Sequence, residues 1–439
     1  MNSSAAELWS KSKLLVKAFI IILQVLLLLI PVHSVKGLIE EREARQQEAV
    51  REVSVKWAGR QVVTGPILVL PYWRTMTDTA NRPIPVKQYA YFLPAAVSAQ
   101  TTIRPEVKHR GIYQVMLFNS TLALSGRFDD IRLDALSIPE SSVIWSEAFL
   151  RIQVSDMKGL SDEMRLAWKD SSITMAPDMA TDAYSGSGLA APLRLAGLAD
   201  ACGARFSARL EISGSEQLLF TPVGTTSTVT MAAAWPHPSF TGTTLPQSSN
   251  VSDSGFTATW KSLAIHRRFP QQFTDARSSD GHLYELTSAA FGVDLFMPVN
   301  AYQKTMRSVK YAVLCILLTF AAFFLIEVVN KRSVHPFQYG LVGLALVLFY
   351  TLLLSIAEYA GFNGAYVIAS ACTIGLIGWF AKGVLASGRL AVVLSTVLVL
   401  VYGYVFTVLQ VQDFALLLGS IGLFVTLAII MYFSRKIQW

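Results

Sequence analysis

Cysteine is scarce in this 439-residue chain: there are three, and Cys315 and Cys372 fall in long apolar runs. Cys202 is left alone in the polar middle of the sequence. No disulfide can close within that region, and paired-sulfur sites of the CxxC or zinc-ribbon kind are excluded. Charge is also scarce, at 15% of residues against 52% apolar. A chain of this kind is too apolar for an ordinary soluble protein, yet its middle is too polar to be all membrane, so two regimes must be present. Missing as well are a Gly-x-Ser-x-Gly elbow, a His-Glu-x-x-His helix and a phosphate-binding glycine-rich loop. No catalytic residue, metal or cofactor is therefore assigned, and a non-enzyme is expected.

The net charge of +7 is distributed unevenly. From Lys36 to Arg307 there are 27 Lys+Arg against 26 Asp+Glu, whereas the rest of the chain carries 10 against 4. A nucleic-acid binder would place its basic excess on the soluble domain to neutralise phosphates. Here the excess flanks apolar runs, so the charge reads as topology and nucleic acid is not an expected partner.

Leu14 to Ile30 is apolar apart from Lys17 and Gln24, follows Lys11 and Lys13, and is closed by Pro31. It reads as a first transmembrane helix or a signal peptide, with Val32-His33-Ser34 as a weak cleavage site. Its length exceeds the roughly 7–15 residues of a secretory core and favours an uncleaved anchor. Further apolar runs at 309–329, 337–357, 363–381, 390–409 and 413–433 approach the ~20 residues that a bilayer core requires. Lys331 and Arg332, then Lys382 and Arg389, then Arg435 and Lys436 mark alternate connections, while 358–362 and 410–413 hold no Lys or Arg. The positive-inside rule then puts both termini in the cytoplasm and residues 36–306 in the periplasm. Lys304, Arg307 and Lys310 run against that pattern and are expected to contact lipid headgroups. In the bundle, Glu327 and Glu358 fall near span ends, and Ala365, Ala369 and Thr373 form a small-residue stripe for close helix packing.

The expected fold is an α+β membrane protein. Residues 1–35 form the cytoplasmic N-terminus and first transmembrane helix, 36–53 a charged helical stalk, 54–306 a periplasmic antiparallel β-sandwich-like domain, and 307–439 a bundle of five transmembrane helices. The stalk rests on Glu41/Arg45 and Glu48/Arg51 at helical spacing. The sandwich rests on period-two alternation: Leu150, Ile152 and Val154 against Arg151, Gln153 and Ser155; Phe206 to Ile212; Phe256 to Trp260. Gly126, Gly159, Gly214 and Gly255 are read as turn positions, and 176–192 and 243–254 as flexible loops. The length allows one sizeable core or two smaller ones.

The most conspicuous local string is Trp235-Pro236-His237-Pro238-Ser239-Phe240-Thr241-Gly242. Two prolines would hold the His237 imidazole for acid–base or metal work. No second ligand stands at metal spacing, however, so a rigid corner closing the sandwich is the expected role. Gly65-Pro66-Ile67-Leu68 and Pro71-Tyr72 read as strand entry and exit with a bend, or alternatively as a peptide-binding edge, and Trp57 before them is a further candidate motif residue.

Trp57-Ala58-Gly59-Arg60-Gln61, Gly65-Pro66-Ile67-Leu68, Ser155 to Leu160, Trp235 to Gly242, Gly255 to Trp260, His335-Pro336-Phe337-Gln338-Tyr339 and Glu358-Tyr359-Ala360-Gly361-Phe362 stand in one order along nearly the whole chain. By these strings the sequence resembles the CreD (Cet) family of inner-membrane proteins of Gram-negative bacteria. Tyr359 stands where the family string has His, and Gln247-Ser248-Ser249 replaces a more charged stretch. The resemblance implies an inner-membrane location, expression under a carbon-source-responsive two-component system, and a role in envelope integrity with links to colicin tolerance and the β-lactam response. It implies no catalytic residues. The partners expected are the lipid bilayer and either a periplasmic envelope component or a second copy of the chain. Two alternatives are a transporter or lipid-handling protein that uses the helix bundle, and a periplasmic hydrolase centred on His237.

Overall fold

A computed structural model describes residues 2–78, 81–161, 163–178, 188–274, 281–295, 301–330, 333–411 and 414–434. The chain divides into a helical unit, residues 1–47 with 299–439, and a sheet unit, residues 48–298. The divisions fall at 47/48 and 298/299, where the sequence suggested 53/54 and 306/307.

The helical unit is built from α1 (Asn2–Trp57, which continues into the sheet unit), α4 (Ala301–Lys310), α5 (Ala312–Val329), α6 (Pro336–Val384), α7 (Gly388–Gln410) and α8 (Ala415–Ser434). Among the described residues four helices are long and apolar enough to cross a membrane: Phe19–Trp57, Ala312–Val329, Pro336–Val384 and Gly388–Gln410. Pro31 does not close the first helix, contrary to its reading as a terminator. The reason is the buried face that passes through it: Ile21, Val25, Leu28, Val32, Val35 and Ile39 recur at three- and four-residue steps, and all are 9% exposed or less. That face outweighs the one ladder bond a proline removes. The same stripe gives the charged stalk one buried face, because Ile39 is fully buried while Glu41 and Arg45 pair in solvent at 2.6 Å. Within α6 the two apolar runs at 337–357 and 363–381 are separated by one non-helical residue, Gly361 (φ 69°, ψ 167°).

The sheet unit contains β1 (Gln61–Thr77), β2 (Pro83–Phe92), β3 (Ala96–Arg110), β4 (Tyr113–Phe128), β5 (Phe149–Val154), β6 (Arg165–Trp168), β7 (Ser171–Thr174), β8 (Ala176–Pro177), β9 (Gly188–Pro192), β10 (Ala204–Ser215), β11 (Gln217–Thr221), β12 (Thr226–Ala233), β13 (Pro238–Gly242), β14 (Ser248–Ser252), β15 (Gly255–Leu263), β16 (Gln272–Thr274) and β17 (Phe291–Leu295), with short helices α2 (Leu198–Ala201) and α3 (Gly281–Ser288). One sheet runs β13-β17-β11-β1-β5-β9-β8, with β2 also paired to β1 and β16 paired to β2. The other runs β14-β15-β12-β3-β4-β10-β6-β7. The expected purely antiparallel architecture is corrected: β1 pairs β11, and β12 pairs β3, in parallel. Each parallel partner is reached only after a long excursion through the other sheet, which supplies the crossover that parallel pairing demands.

One core fills the space between the sheets. Leu68, Phe92, Leu150, Phe220 and Phe291 from the first meet Phe118, Leu124, Phe206 and Trp260 from the second in a single cluster. Trp260, fully buried, stacks on Phe291 at 5.7 Å and meets the edge of Phe240 at 5.7 Å. The second sheet keeps the alternation read from sequence, with Phe206, Ala208, Leu210 and Ile212 inside and Ser207 and Arg209 outside.

The first sheet does not. Segment 131–148 and α3 cover its other face, contributing Ile131, Leu133, Ile138, Val143 and Leu286 to the core. Arg151, placed by alternation on a wet face, is therefore only 2% exposed and forms an ion pair with Asp178 at 2.8 Å. The two loops are also corrected in part. Residues 176–177, 188–192 and 248–252 are strands, and 179–187 lie outside the described residues.

Two of the four glycines read as turn positions, Gly126 and Gly214, lie inside strands as close-packing positions, and Gly159 ends a 3-10 turn (Met157–Gly159) while also being closely packed. A Cβ on Gly126 would lie 2.2 Å from the Ala96 carbonyl oxygen and 2.5 Å from the Phe206 ring; on Gly159, 2.1 Å from the Ser213 oxygen; on Gly214, 2.5 Å from the Phe118 ring. Only Gly255 stands at a strand junction, between β14 and β15.

Candidate functional site

The ten residues singled out by sequence do not converge. Nine lie in the sheet unit and Glu358 lies in the helical unit. Trp57, at the end of α1, is 39% exposed. Gly65 and Pro66 are buried inside β1, at the register shift between Thr64 and Ile67 against β5, so they form a bulge within one long strand rather than its entry. Gly65 has φ 130° and its Cβ position is 2.9 Å from the Arg151 carbonyl oxygen, so only glycine fits.

The Trp235-to-Gly242 string is a corner leading into β13. The Trp235 indole Nε1 donates to the His237 carbonyl at 3.2 Å, the two rings meet edge-on at 6.4 Å, and the His237 side chain is exposed. Pro236 and Pro238 flank it, and Pro238 opens the pairing of β13 with β17. Phe240 sends its ring into the core against Phe256 and Trp260. Gly242, at φ 103°, has its Cβ position 2.3 Å from the Ala290 oxygen. Among the described residues no group of three or more His, Cys, Asp or Glu could hold a metal ion. Arg267, pushed down to about 10 by burial, remains a cation at neutral pH and stacks over the Phe269 ring at 4.3 Å.

Two side-chain clusters in the helical unit were not assembled by sequence reading. In the first, the Glu327 carboxylate near the end of α5 pairs with Lys17 of α1 and accepts from the Tyr339 hydroxyl at 2.7 Å and from the Val334 backbone N–H at 3.1 Å. Lys17 also donates to the Val334 carbonyl, and Gln24, two turns on, donates to the Pro336 carbonyl at 2.9 Å. Tyr339 is held edge-on by Phe320 and Phe323 at 5.6 and 5.1 Å. The connection enters α6 through His335, whose Nδ1 accepts from the Phe337 N–H at 3.2 Å. A hollow of about 430 Å³ beside Lys17 is lined by Val16, Ile20, Ser333, Val334, His335 and Pro336.

In the second cluster, Glu358 of α6 accepts from the Tyr302 hydroxyl of α4 at 3.1 Å and lies 3.8 Å from Arg42 of α1, with its side chain 10% exposed. Glu358 precedes the helix break at Gly361, after which Phe362 lies under Lys304 at 5.6 Å and Asn363 accepts from Gln410 at 2.8 Å. α4 itself is amphipathic, with Tyr302, Thr305, Ser308 and Val309 buried and Gln303, Arg307 and Lys310 exposed. Ala365, Ala369 and Thr373 are buried on one face of α6, as a packing stripe requires.

The sequence signals for these clusters were present but separate: a lysine and a glutamine interrupting one apolar run, and a glutamate inside or beside two others. In an apolar setting each unpaired charge is costly, so charges that persist there are expected to pair.

The family described as inner membrane protein CreD matches residues 13–439. The chain belongs to the CreD family. The inner membrane protein CreD of Escherichia coli (strain K12) is 32% identical over 418 residues, covering 94% of this chain and 91% of that one. CreD membership makes the chain an inner-membrane protein with several apolar helices and a mixed-sheet unit. Among solved structures, an M1 zinc metallopeptidase from Deinococcus radiodurans aligns at 12% identity over 41% of this chain and 40% of that one, with a TM-score of 0.20. No argument rests on a similarity of that size.

Proposed function

We propose that this CreD-family protein is non-enzymatic and supports the integrity of the cell envelope under stress, with the sheet unit held in the periplasm as its interaction module and the helices as its anchor. The observation that carries the reading is an asymmetry of the sandwich. The first sheet is covered on both faces around β1, β5, β9 and β11, whereas the eight-stranded sheet presents one polar face, from Lys261 on β15 through Gln100 and Ser125 to Ser172 on β7, to solvent. Seven strand spacings make that face roughly 34 Å wide, a continuous polar surface broad enough to hold a partner.

In this reading both termini are cytoplasmic, and the halves of α6 on either side of Gly361 are two crossings, giving five spans after α4. α4 lies at the outer headgroup level with Arg307 and Lys310 toward lipid phosphates. α1 is retained as an uncleaved anchor, because its buried stripe and Lys17 are built into the bundle. The partner is a periplasmic envelope component. The test is deletion of the gene followed by measurement of detergent and β-lactam sensitivity and cell shape. Unchanged phenotypes under inducing conditions refute the reading.

One observation favours transport as a second reading. The break at Gly361 beside Glu358 is the kind of discontinuity that transporters use to build ion sites. Against it, both glutamates of the clusters are engaged by Lys17 and Arg42. Ion-dependent uptake into vesicles carrying the purified protein, abolished by Glu358→Gln, would decide for transport.

A further inference from the structure

The uncovered face of the eight-stranded sheet carries two cross-strand pairs of like charge. Arg165 of β6 stands directly opposite Arg209 of β10, and Arg205 of β10 directly opposite Arg127 of β4. All four are exposed on the same side of the sheet. Like charges directly opposite each other destabilise a sheet. Arg209 has Glu211 at 3.5 Å and Arg127 has Asp129 at 2.7 Å, but among the described residues Arg165 and Arg205 have no ion-pair partner.

Between the two pairs runs a row of short side chains in exact cross-strand register, Ser98, Ser125, Ser207, Ala167 and Ser172. With Arg165 and Arg209 as one wall, this row forms the floor of a hollow of about 440 Å³. Arg205 and Arg209 are four residues apart on one strand, which sets the two cationic positions about 13 Å apart.

We propose that this face binds a linear, carboxylate-bearing glycan, whose acid groups bridge the arginine pairs and whose hydroxyls lie on the serine row. The inference rests on the reading of the sheet unit as an interaction module and names its ligand class. Three features select this ligand. Paired guanidinium groups match carboxylates through forked, charge-assisted hydrogen bonds. The floor between them is a flat row of hydroxyls and an amide interrupted only by the methyls of Ala123 and Ala167, so it suits a polyhydroxylated chain and provides no deep apolar pocket for the side chains of an acidic peptide. It also carries no aromatic ring on which nucleic-acid bases could stack. A ligand bridging the pairs removes the repulsion that the empty face carries.

The experiment uses the full chain in nanodiscs of zwitterionic lipid and measures binding of an oligogalacturonate by calorimetry. Maltodextrin, poly-glutamate and vesicles containing phosphatidylglycerol are the comparison probes. Oligogalacturonate is expected to bind, more weakly as salt rises, and maltodextrin to show no binding. Arg165→Gln with Arg209→Gln is expected to weaken binding about tenfold or more. Because that change removes a like-charge pair, the variant should unfold no more readily than the parent, which separates lost binding from lost structure. Ser207→Phe, which fills the hollow and leaves the charge unchanged, is expected to weaken binding as well. Equal binding by parent and double arginine variant overturns the proposal. So does poly-glutamate binding as tightly as oligogalacturonate, or preferential capture of the phosphatidylglycerol vesicles.

The cellular assay then separates the two levels. A binding-deficient variant that fully restores envelope resistance overturns the glycan inference and leaves the envelope role standing. A deletion without phenotype overturns the envelope role while the binding result stands on its own.

Discussion

Removing the Lys17 ammonium should loosen α1 from the helices it packs against, and the size of the effect follows from what Glu327 would keep. The Glu327 side chain is 8% exposed and that of Lys17 18%, so the pair is largely withdrawn from water. In Lys17→Met the carboxylate retains the Tyr339 hydroxyl and the Val334 N–H but loses its counter-charge. Breaking a buried ion pair from one side costs about 3–5 kcal/mol in soluble proteins. The residual exposure of Lys17, and the modest worth of polar contacts in membrane bundles, move the expectation down to about 2–3 kcal/mol. Tyr339→Phe removes one hydrogen bond to a charged acceptor and should cost about 1.5 kcal/mol. In the double variant Lys17→Met/Glu327→Gln no charge is stranded, so its cost should fall short of the sum of the singles by about 1.5 kcal/mol or more. The assay is unfolding of the micelle-held protein by a denaturing detergent, followed by the helical circular dichroism band. Additive singles, or a Lys17→Met cost below about 0.5 kcal/mol, would refute the claim that this pair holds α1 in place.

Arg42→Ala should cost less than Lys17→Met, about 1 kcal/mol, because Arg42 is 37% exposed and 3.8 Å from Glu358; the same unfolding assay ranks the two. Asp178→Ala leaves Arg151 buried without its counter-ion and should destabilise the sheet unit by about 3 kcal/mol, read from tryptophan fluorescence during urea unfolding. Gly126→Ala drives a methyl into the Ala96 carbonyl and the Phe206 ring and should cost about 2–3 kcal/mol in that assay, whereas Gly111→Ser, with nothing within 4 Å but a φ of 61°, should cost about 1 kcal/mol through backbone strain alone. For topology, Cys202, which is half-buried and unpaired, should react with a membrane-impermeant maleimide added to intact spheroplasts, and a cysteine placed at Ser387 between α6 and α7 should not; labelling at 387 would reverse the proposed orientation.

The parts of the fold that could be read from sequence are those where one physical rule acts alone. The apolar runs of the helical unit and the alternation of β10 and β15 each reflect one boundary, with lipid or with a single core, and the ordered motifs sufficed to place the chain in its family. The reading failed where two boundaries act at once. β5 lies in a sheet covered on both faces, so period two no longer separates inside from outside, and Arg151 was assigned to solvent although Asp178 buries it. Gly126 and Gly214 look like turns in one dimension, because what excludes a side chain there is a strand or ring that is distant in sequence. Lys17 and Glu327 are 310 residues apart, and Arg42 and Glu358 stand in different motifs. No spacing rule couples them; only the fold does.

The two clusters also bear on where charge sits along α1. Lys17 and Arg42 are 25 residues apart on one unbroken helix, which at 1.5 Å per residue is about 37 Å. A bilayer's hydrocarbon core is ~30 Å thick. Were α1 to cross near the membrane normal, both pairs would fall at the edges of that core, where a lysine or arginine can reach water and the penalty for ionisation is smallest. Tilt shortens the projected distance toward the core thickness without bringing either pair to the midplane. The pairs then act on position as well as stability: sliding α1 by one turn would draw one cation into hydrocarbon and strand one glutamate. Moving the lysine in the double variant Lys17→Leu/Ile21→Lys tests this, because the ammonium returns one turn deeper on a face that is already buried. If the register is set by the ion pair, adding Glu327→Gln should cost the double variant further stability; no further loss would show that apolar packing alone fixes α1.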